Sequence, residues 1–166
     1  EHLLKSGCRR IIFIGYPNGA PTVEARAAGF REALFTYQVP CKIDSVQMLP
    51  AITHEEVKRL LDELNPDAFV CVNDRTAGPL MHAALKLGYK IPGDLRIAGI
   101  DDVEYAKLLP VPLTTIHQPC REIGQAAVAA MFDRIQHPTM LTRDILLDCR
   151  LVVRESCGAG SSTSTV

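Results

Sequence analysis

Polar side chains able to grip a ligand fall just after short apolar runs in this sequence. Tyr16, Asn18, Thr22 and Arg26 follow residues 10–14 (RIIFI). Asn73 and Asp74 follow residues 68–72 (AFVCV), and Asp101 and Asp102 follow residues 95–100 (LRIAGI). If each run is a strand of one parallel sheet, these residues share its carboxyl rim, where open α/β sheets bind ligands. An arginine, an amide, a hydroxyl and carboxylates on one rim suit a polyol. Planar side chains pair there with neighbouring hydroxyls, and charge strengthens each bond.

The same residues have plainer readings. Asp74 opens a helical pattern, and capping that helix is its expected main task. Thr22 reads either as a cap or as a ligand contact. Arg26 is placed in a helix's first turn, where a cation meets the wrong end of the dipole and calls for a partner. Asp101 and Asp102 read either as turn residues or as functional carboxylates. With Asp74 they would also suit Mg²⁺ in phosphoryl transfer, since oxygen ligands match that ion. That chemistry needs a phosphate cradle or an activated nucleophile. The string Gly15-Tyr-Pro-Asn-Gly19 has neither dinucleotide-binding nor P-loop spacing. His117 has no Ser or Cys partner beside it and reads as structural. A binding protein without metal or cofactor is therefore expected, not an enzyme.

The elements that would position these groups are legible. Residues 10–14, 43–48, 68–72 and 95–100 read as strands, the third apolar throughout, as a strand buried on both faces is. Between them, residues 22–36, 54–64 and 74–87 carry apolar positions at helical spacing, such as Leu80, Ala84 and Leu87. Alternating strand and helix predict an α/β fold: a doubly wound parallel sheet flanked by helices. Gly7, Gly88 and Asn65-Pro66 sit where helices stop. A short strand is expected at 113–116, a helix from Pro119 to about residue 135, and two more strands at 143–148 and 151–153. The small, polar end (residues 158–166, GAGSSTSTV) predicts disorder.

The chain has 166 residues, 47% of them hydrophobic and 22% charged, enough for a domain with a real core. It carries no apolar run of about 18 residues, the length a membrane span needs, and no membrane role is expected. It begins Glu-His-Leu-Leu-Lys-Ser-Gly inside a helical pattern without an initiator Met, and we read it as part of a longer protein. Six scattered cysteines lack metal spacing and fit a reducing cytosol. Cys71, within an apolar run, is expected buried and inert. Net charge is −1 and no basic cluster exceeds Arg9-Arg10, so no DNA-binding face is expected in this segment.

Pro112-Leu-Thr-Thr-Ile-His-Gln-Pro119 followed by Ile123-Gly124 closely resembles the hinge segment of LacI/GalR repressors. Gly7-x-Arg9-Arg10-Ile11, Arg26-Ala-Ala-Gly-Phe30, Asn73-Asp74, Ile91-Pro92-x-Asp94-Leu95 and Gly99-Ile-Asp-Asp102 are similar to that family's other blocks, in order, up to about Glu155. The resemblance implies the C-terminal lobe of a periplasmic-binding-protein-like fold: residues 1–117 as that lobe, 118–148 as one helix and one strand of the N-terminal lobe, 149–157 as the return strand. It implies a cytoplasmic transcription repressor whose small effector (a sugar, sugar acid or purine) sits between lobes. Arg26, Asn73 and Asp101, with Thr22, Tyr16 and Gln118, would bind it. Gln118, Asp148 and Cys149 would lie in the interlobe hinge, and Tyr105 and Leu108 in a homodimer interface. Operator DNA would be reached only through an N-terminal module absent from this sequence. A periplasmic sugar-binding protein of a transport system is the alternative. With most of the first lobe missing, the stripe Ile123, Ala127, Met131, Ile135 is expected to lack its partner.

Overall fold

The computed structural model describes residues 1–158. Six strands form one sheet: β1 (Ile11–Gly15), β2 (Val46–Met48), β3 (Ala68–Cys71), β4 (Arg96–Asp101), β5 (Thr114–His117) and β6 (Arg150–Val152). Their order is β2-β1-β3-β4-β5-β6. The first five run parallel, and β6 pairs antiparallel with β5, setting His117 opposite Arg150. The helices are α1 (His2–Lys5), α2 (Pro21–Thr36), α3 (His54–Leu64), α4 (Asp74–Lys86) and α5 (Cys120–Gln136).

Strand alternation explains why the apolar runs are unbroken. Ile12 and Ile14 of β1, with Phe69 and Cys71 of β3, join the layer formed with Val57, Leu60 and Leu61 of α3 and Leu80, Met81 and Ala84 of α4. Ile11 and Phe13, with Ala68, join the opposite layer with Leu3 and Leu4 of α1 and Phe30 and Leu34 of α2. A strand clothed on both faces has no place for polar alternation. Burial pushes the Cys71 thiol far up from its usual range, which makes it an inert core residue as expected. The cover is uneven. On the α2 side an open apolar trough runs over the sheet, lined by Val70, Ala98, Ile100, Ile116 and Leu151.

Chain punctuation follows local chemistry. The Thr53 hydroxyl accepts from the Glu56 amide and caps α3, and Asn65 ends that helix in the left-handed conformation. Gly7 and Gly88 stop their helices at φ +94° and +89°, a region that costs glycine nothing.

Two expectations need correction. The run 43–48 is a 3-10 turn (Ile43–Ser45) followed by a three-residue strand, because Asp44 and Ser45 turn the chain before it can pair. The Lys42 amide donates to the Ser45 hydroxyl across that turn. Residues 143–148 form no strand: they are exposed coil, with no neighbouring edge among the described residues to satisfy their amides. The small polar tail lies, beyond Gly158, outside the described residues.

Helix α5 buries no residue. Ile123, Met131 and Ile135 are exposed as the stripe reading expects, with Val128 and Phe132 beside them. In this chain, then, Met131→Lys and Phe132→Lys should change unfolding free energy by no more than about 0.5 kcal/mol. Leu60→Ala, in the packed layer, should cost about 2–5 kcal/mol. Urea titrations monitored by circular dichroism check the contrast. A loss from Met131→Lys equal to that from Leu60→Ala would mean α5 packs in solution.

Candidate functional site

The sheet order reverses between β1 and β3, where consecutive connections leave towards opposite edges. Such a switch point opens a crevice at the strands' carboxyl ends. Tyr16 leaves β1 there and Asn73 follows β3, and both line one open hollow with Pro17, Pro50, Arg75 and Thr76.

Arg26 crosses the same rim from α2. That helix begins at Pro21, so Arg26 is in its second turn, not its first. One guanidinium nitrogen donates to the Val72 carbonyl at 2.7 Å, directly before Asn73. The other donates to Asp101 Oδ1 at 3.3 Å. The Gln118 side-chain amide donates to that same oxygen. Arg26, Asp101 and Gln118, from three separate elements, thus meet at one point. The Arg26 and Asp101 side chains remain 23% and 29% exposed. Asp101 Oδ2 has no hydrogen-bond partner among the described residues, so the cluster still offers an acceptor to solvent or ligand.

Other expected residues fall differently. Thr22 is exposed and caps nothing, since the N-cap of α2 is Ala20, but it lies one turn before Arg26 on the same helix. Asn73, not Asp74, caps α4: its Oδ1 accepts from the Thr76 amide at 2.9 Å and hydroxyl at 2.8 Å. Its NH₂ stays uncommitted among the described residues. Asp148 and Cys149 are exposed coil. Gln118 and Cys149 nevertheless leave the sheet side by side, because β5 and β6 are paired. Tyr105 and Leu108 sit on or next to a 3-10 turn (Glu104–Lys107) against α4, and Leu108 is 84% exposed.

Asp74 and Asp102 have structural work that sequence reasoning missed. Asp74 is fully buried, accepting from the Thr115 hydroxyl at 2.6 Å and the Val103 amide at 3.0 Å. Burial raises its pKa, against the pull of those two bonds. The space it fills exists because residue 99 is glycine: a Cβ there would stand 2.2 Å from Asp74 Oδ1. Asp102 accepts from Arg154 on Oδ1 and pairs with His117 Nδ1 at 2.9 Å on Oδ2. Burial pushes the Asp102 carboxyl up, but the bonds and charges of Arg154 and His117 outweigh it and hold the carboxyl below its ordinary value. His117 is therefore tied to a carboxylate, with a structural role. The three aspartates are held apart by these partners, and no cluster of three metal-ligating side chains occurs among the described residues. Gly99 inside a strand run was the available signal of a close approach; nothing in the sequence marked Asp74 or Arg154 for these tasks.

A family model for the periplasmic binding protein-like domain matches residues 1–157. The chain belongs to that family. The ribose operon repressor of Halalkalibacterium halodurans is 31% identical over 165 residues, 98% of this periplasmic binding protein-like chain and 50% of the repressor. The HTH-type transcriptional repressor PurR of Mannheimia succiniciproducens is 31% identical over 160 residues, 94% of this chain and 48% of PurR. Among solved structures, a LacI family transcriptional regulator from Enterococcus faecium with bound ribose superposes with a TM-score of 0.81 at 32% identity, over 93% of this chain and 59% of that one. The domain thus has the fold of LacI-family regulators, and it spans about half the length of the curated relatives it matches. No described helix is long and apolar enough to cross a membrane.

Two measurements check the buried carboxylates. Gly99→Ala should cost about 1–3 kcal/mol by overpacking Asp74, read as a lower urea midpoint at unchanged slope. Asp102 has a folded pKa below its ordinary 3.8. Its contribution to stability is therefore complete above that value and is lost as pH falls through the folded value. Unfolding free energy between about pH 5 and pH 2 should fall less steeply in Asp102→Asn than in the parent. Parallel curves would show that the Asp102 pairing contributes nothing.

Proposed function

We propose that this chain is the effector-sensing and dimerisation part of a bacterial LacI-type transcription repressor. A small hydroxylated molecule binds in a cleft whose floor is the rim of Arg26, Asp101 and Gln118, with Asn73, Tyr16 and Thr22 around it. The observation that carries this is the meeting of Arg26 and Gln118 on one oxygen of Asp101, while its second oxygen and the Asn73 amide nitrogen have no hydrogen-bond partner among the described residues. A planar donor pair and a planar acceptor set at fixed spacing match vicinal hydroxyls. The named relatives are repressors, and the ribose bound in the Enterococcus faecium regulator supports a sugar over a sugar acid or a purine.

In this reading residues 1–117 form one lobe, 118–148 belong to the other, and 149–157 return to the first. Gln118, Asp148 and Cys149 lie in the crossing segments, and Tyr105 and Leu108 meet a second copy. The full-length protein acts in the cytoplasm and touches operator DNA through a module outside this sequence, without catalysing a reaction. Effector and DNA compete or cooperate through the relative placement of the lobes.

The test is a thermal-shift screen of the full-length protein against ribose, gluconate and hypoxanthine. A binder at roughly 100-fold excess over its Kd stabilises by about 2.7 kcal/mol, a shift of several degrees. Asp101→Ala and Arg26→Ala should each abolish that shift. A shift undiminished in both would place the effector elsewhere.

A further inference from the structure

We propose that Asp102 is a positioning residue: clamped by Arg154 and His117, it turns the chain so that the neighbouring Asp101 carboxylate meets Arg26 and Gln118. The proposal deepens the effector reading and rests on it for the meaning of the Asp101 site, though not for the geometry.

Three observations converge. First, alternation along β4 sends Gly99 to the α4 side, where Asp74 stands, and Ile100 to the trough on the α2 side. Continued one residue further, a regular strand would aim Asp101 back towards Asp74, carboxylate against carboxylate. Asp101 instead reaches Arg26 of α2.

Second, the redirection is made by backbone. Asp101 has φ +121° and Asp102 φ +58°, two consecutive left-handed residues, neither of them glycine. Aspartate tolerates the second value, but the first is glycine territory, and such residues persist only where their surroundings over-determine them.

Third, Asp102 supplies that constraint. Both of its oxygens are committed, Oδ1 to Arg154 and Oδ2 to His117. Arg154 is fixed in turn, donating to the Leu113 carbonyl at 2.8 Å, while its amide donates to the Thr114 hydroxyl at 2.9 Å. The Asp102 amide leans on the Thr115 hydroxyl at 3.4 Å, the group already donating to Asp74. By contrast, Asp101's own side chain is held only by the partners it is being presented to. Were Asp102 to relax to ordinary extended backbone, its carboxylate would leave both partners and the 101–102 peptide would rotate with it. Asp102 therefore decides where the Asp101 carboxylate points, and Arg154, in the segment following β6, decides where Asp102 sits.

The test is the Gln118 side-chain amide in the ¹⁵N–¹H spectrum of this chain. Its proton bonded to Asp101 is expected well downfield. In Asp102→Asn, Asp102→Gly and Arg154→Met that signal should move to the position of a free amide while the remaining spectrum keeps its dispersion. Arg154→Lys, which keeps a cation, should restore part of the shift. Glycine is the discriminating variant, because it adopts the left-handed backbone without strain but offers no carboxylate. A Gln118 signal unchanged in Asp102→Gly or in Arg154→Met overturns the proposal. If Arg154→Met does not fold, His117→Phe removes the other half of the clamp and is judged by the same signal. The effector reading fails separately. Loss of the Gln118 shift in the variants, with no probe stabilising the full-length protein, would uphold the clamp and remove the sensor.

Discussion

A carboxylate taken out of water must be met by hydrogen bonds or it cannot stay ionised, and in this domain that requirement organises the rim of the sheet. Asp74 begins α4 but turns inward, to the Thr115 hydroxyl of β5 and the Val103 amide beyond β4. One side chain thereby fixes three elements relative to one another. It can do so only because Gly99 leaves β4 bare at the point of closest approach. The rest of the rim depends on this buried residue: Asp102 leans on the same threonine, and Asp101 follows Asp102.

The rim shows a division of labour among like residues. Asp74, Asp101 and Asp102 look equivalent on paper and occupy three environments. One is buried against neutral donors, one is clamped between Arg154 and His117, and one is left partly open. Environment, not residue type, sets what each can do. The half-open carboxylate is the one whose partners come from the most distant parts of the chain, Arg26 from α2 and Gln118 from the exit of β5. That carboxylate therefore ties a helix to two strand ends.

How much of this was readable in the sequence depended on how local the cause was. The runs RIIFI and AFVCV announce strands because both sheet faces must be apolar, and β1 and β3 appear within a residue of expectation. The helix at His54–Leu64 is bounded by its own caps, Thr53 and Asn65. Residues 143–148 have strand composition, yet a strand needs a neighbour, and pairing is not a property of the segment alone. The site divides in the same way. Arg26, Asp101 and Gln118 are placed by the rule that ligands gather at carboxyl ends and by family resemblance. The inward turn of Asp74 and the reach of Arg154 to Asp102 depend on packing that no short window contains. Asn73 and not Asp74 caps α4, because either can cap a helix and only the surroundings choose between them.

The antiparallel pairing of β6 with β5 has a consequence for synthesis. Strands β1 to β5 come from one continuous stretch and find their places through successive local connections, whereas β6 arrives only after the long detour through α5. Until then β5 is a bare edge, its amides and carbonyls open to any extended peptide nearby. At ordinary translation speeds the gap lasts several seconds, long compared with hairpin or helix formation. A nascent chain of this kind therefore passes through a window in which a passing strand can take the seat reserved for residues 150–152.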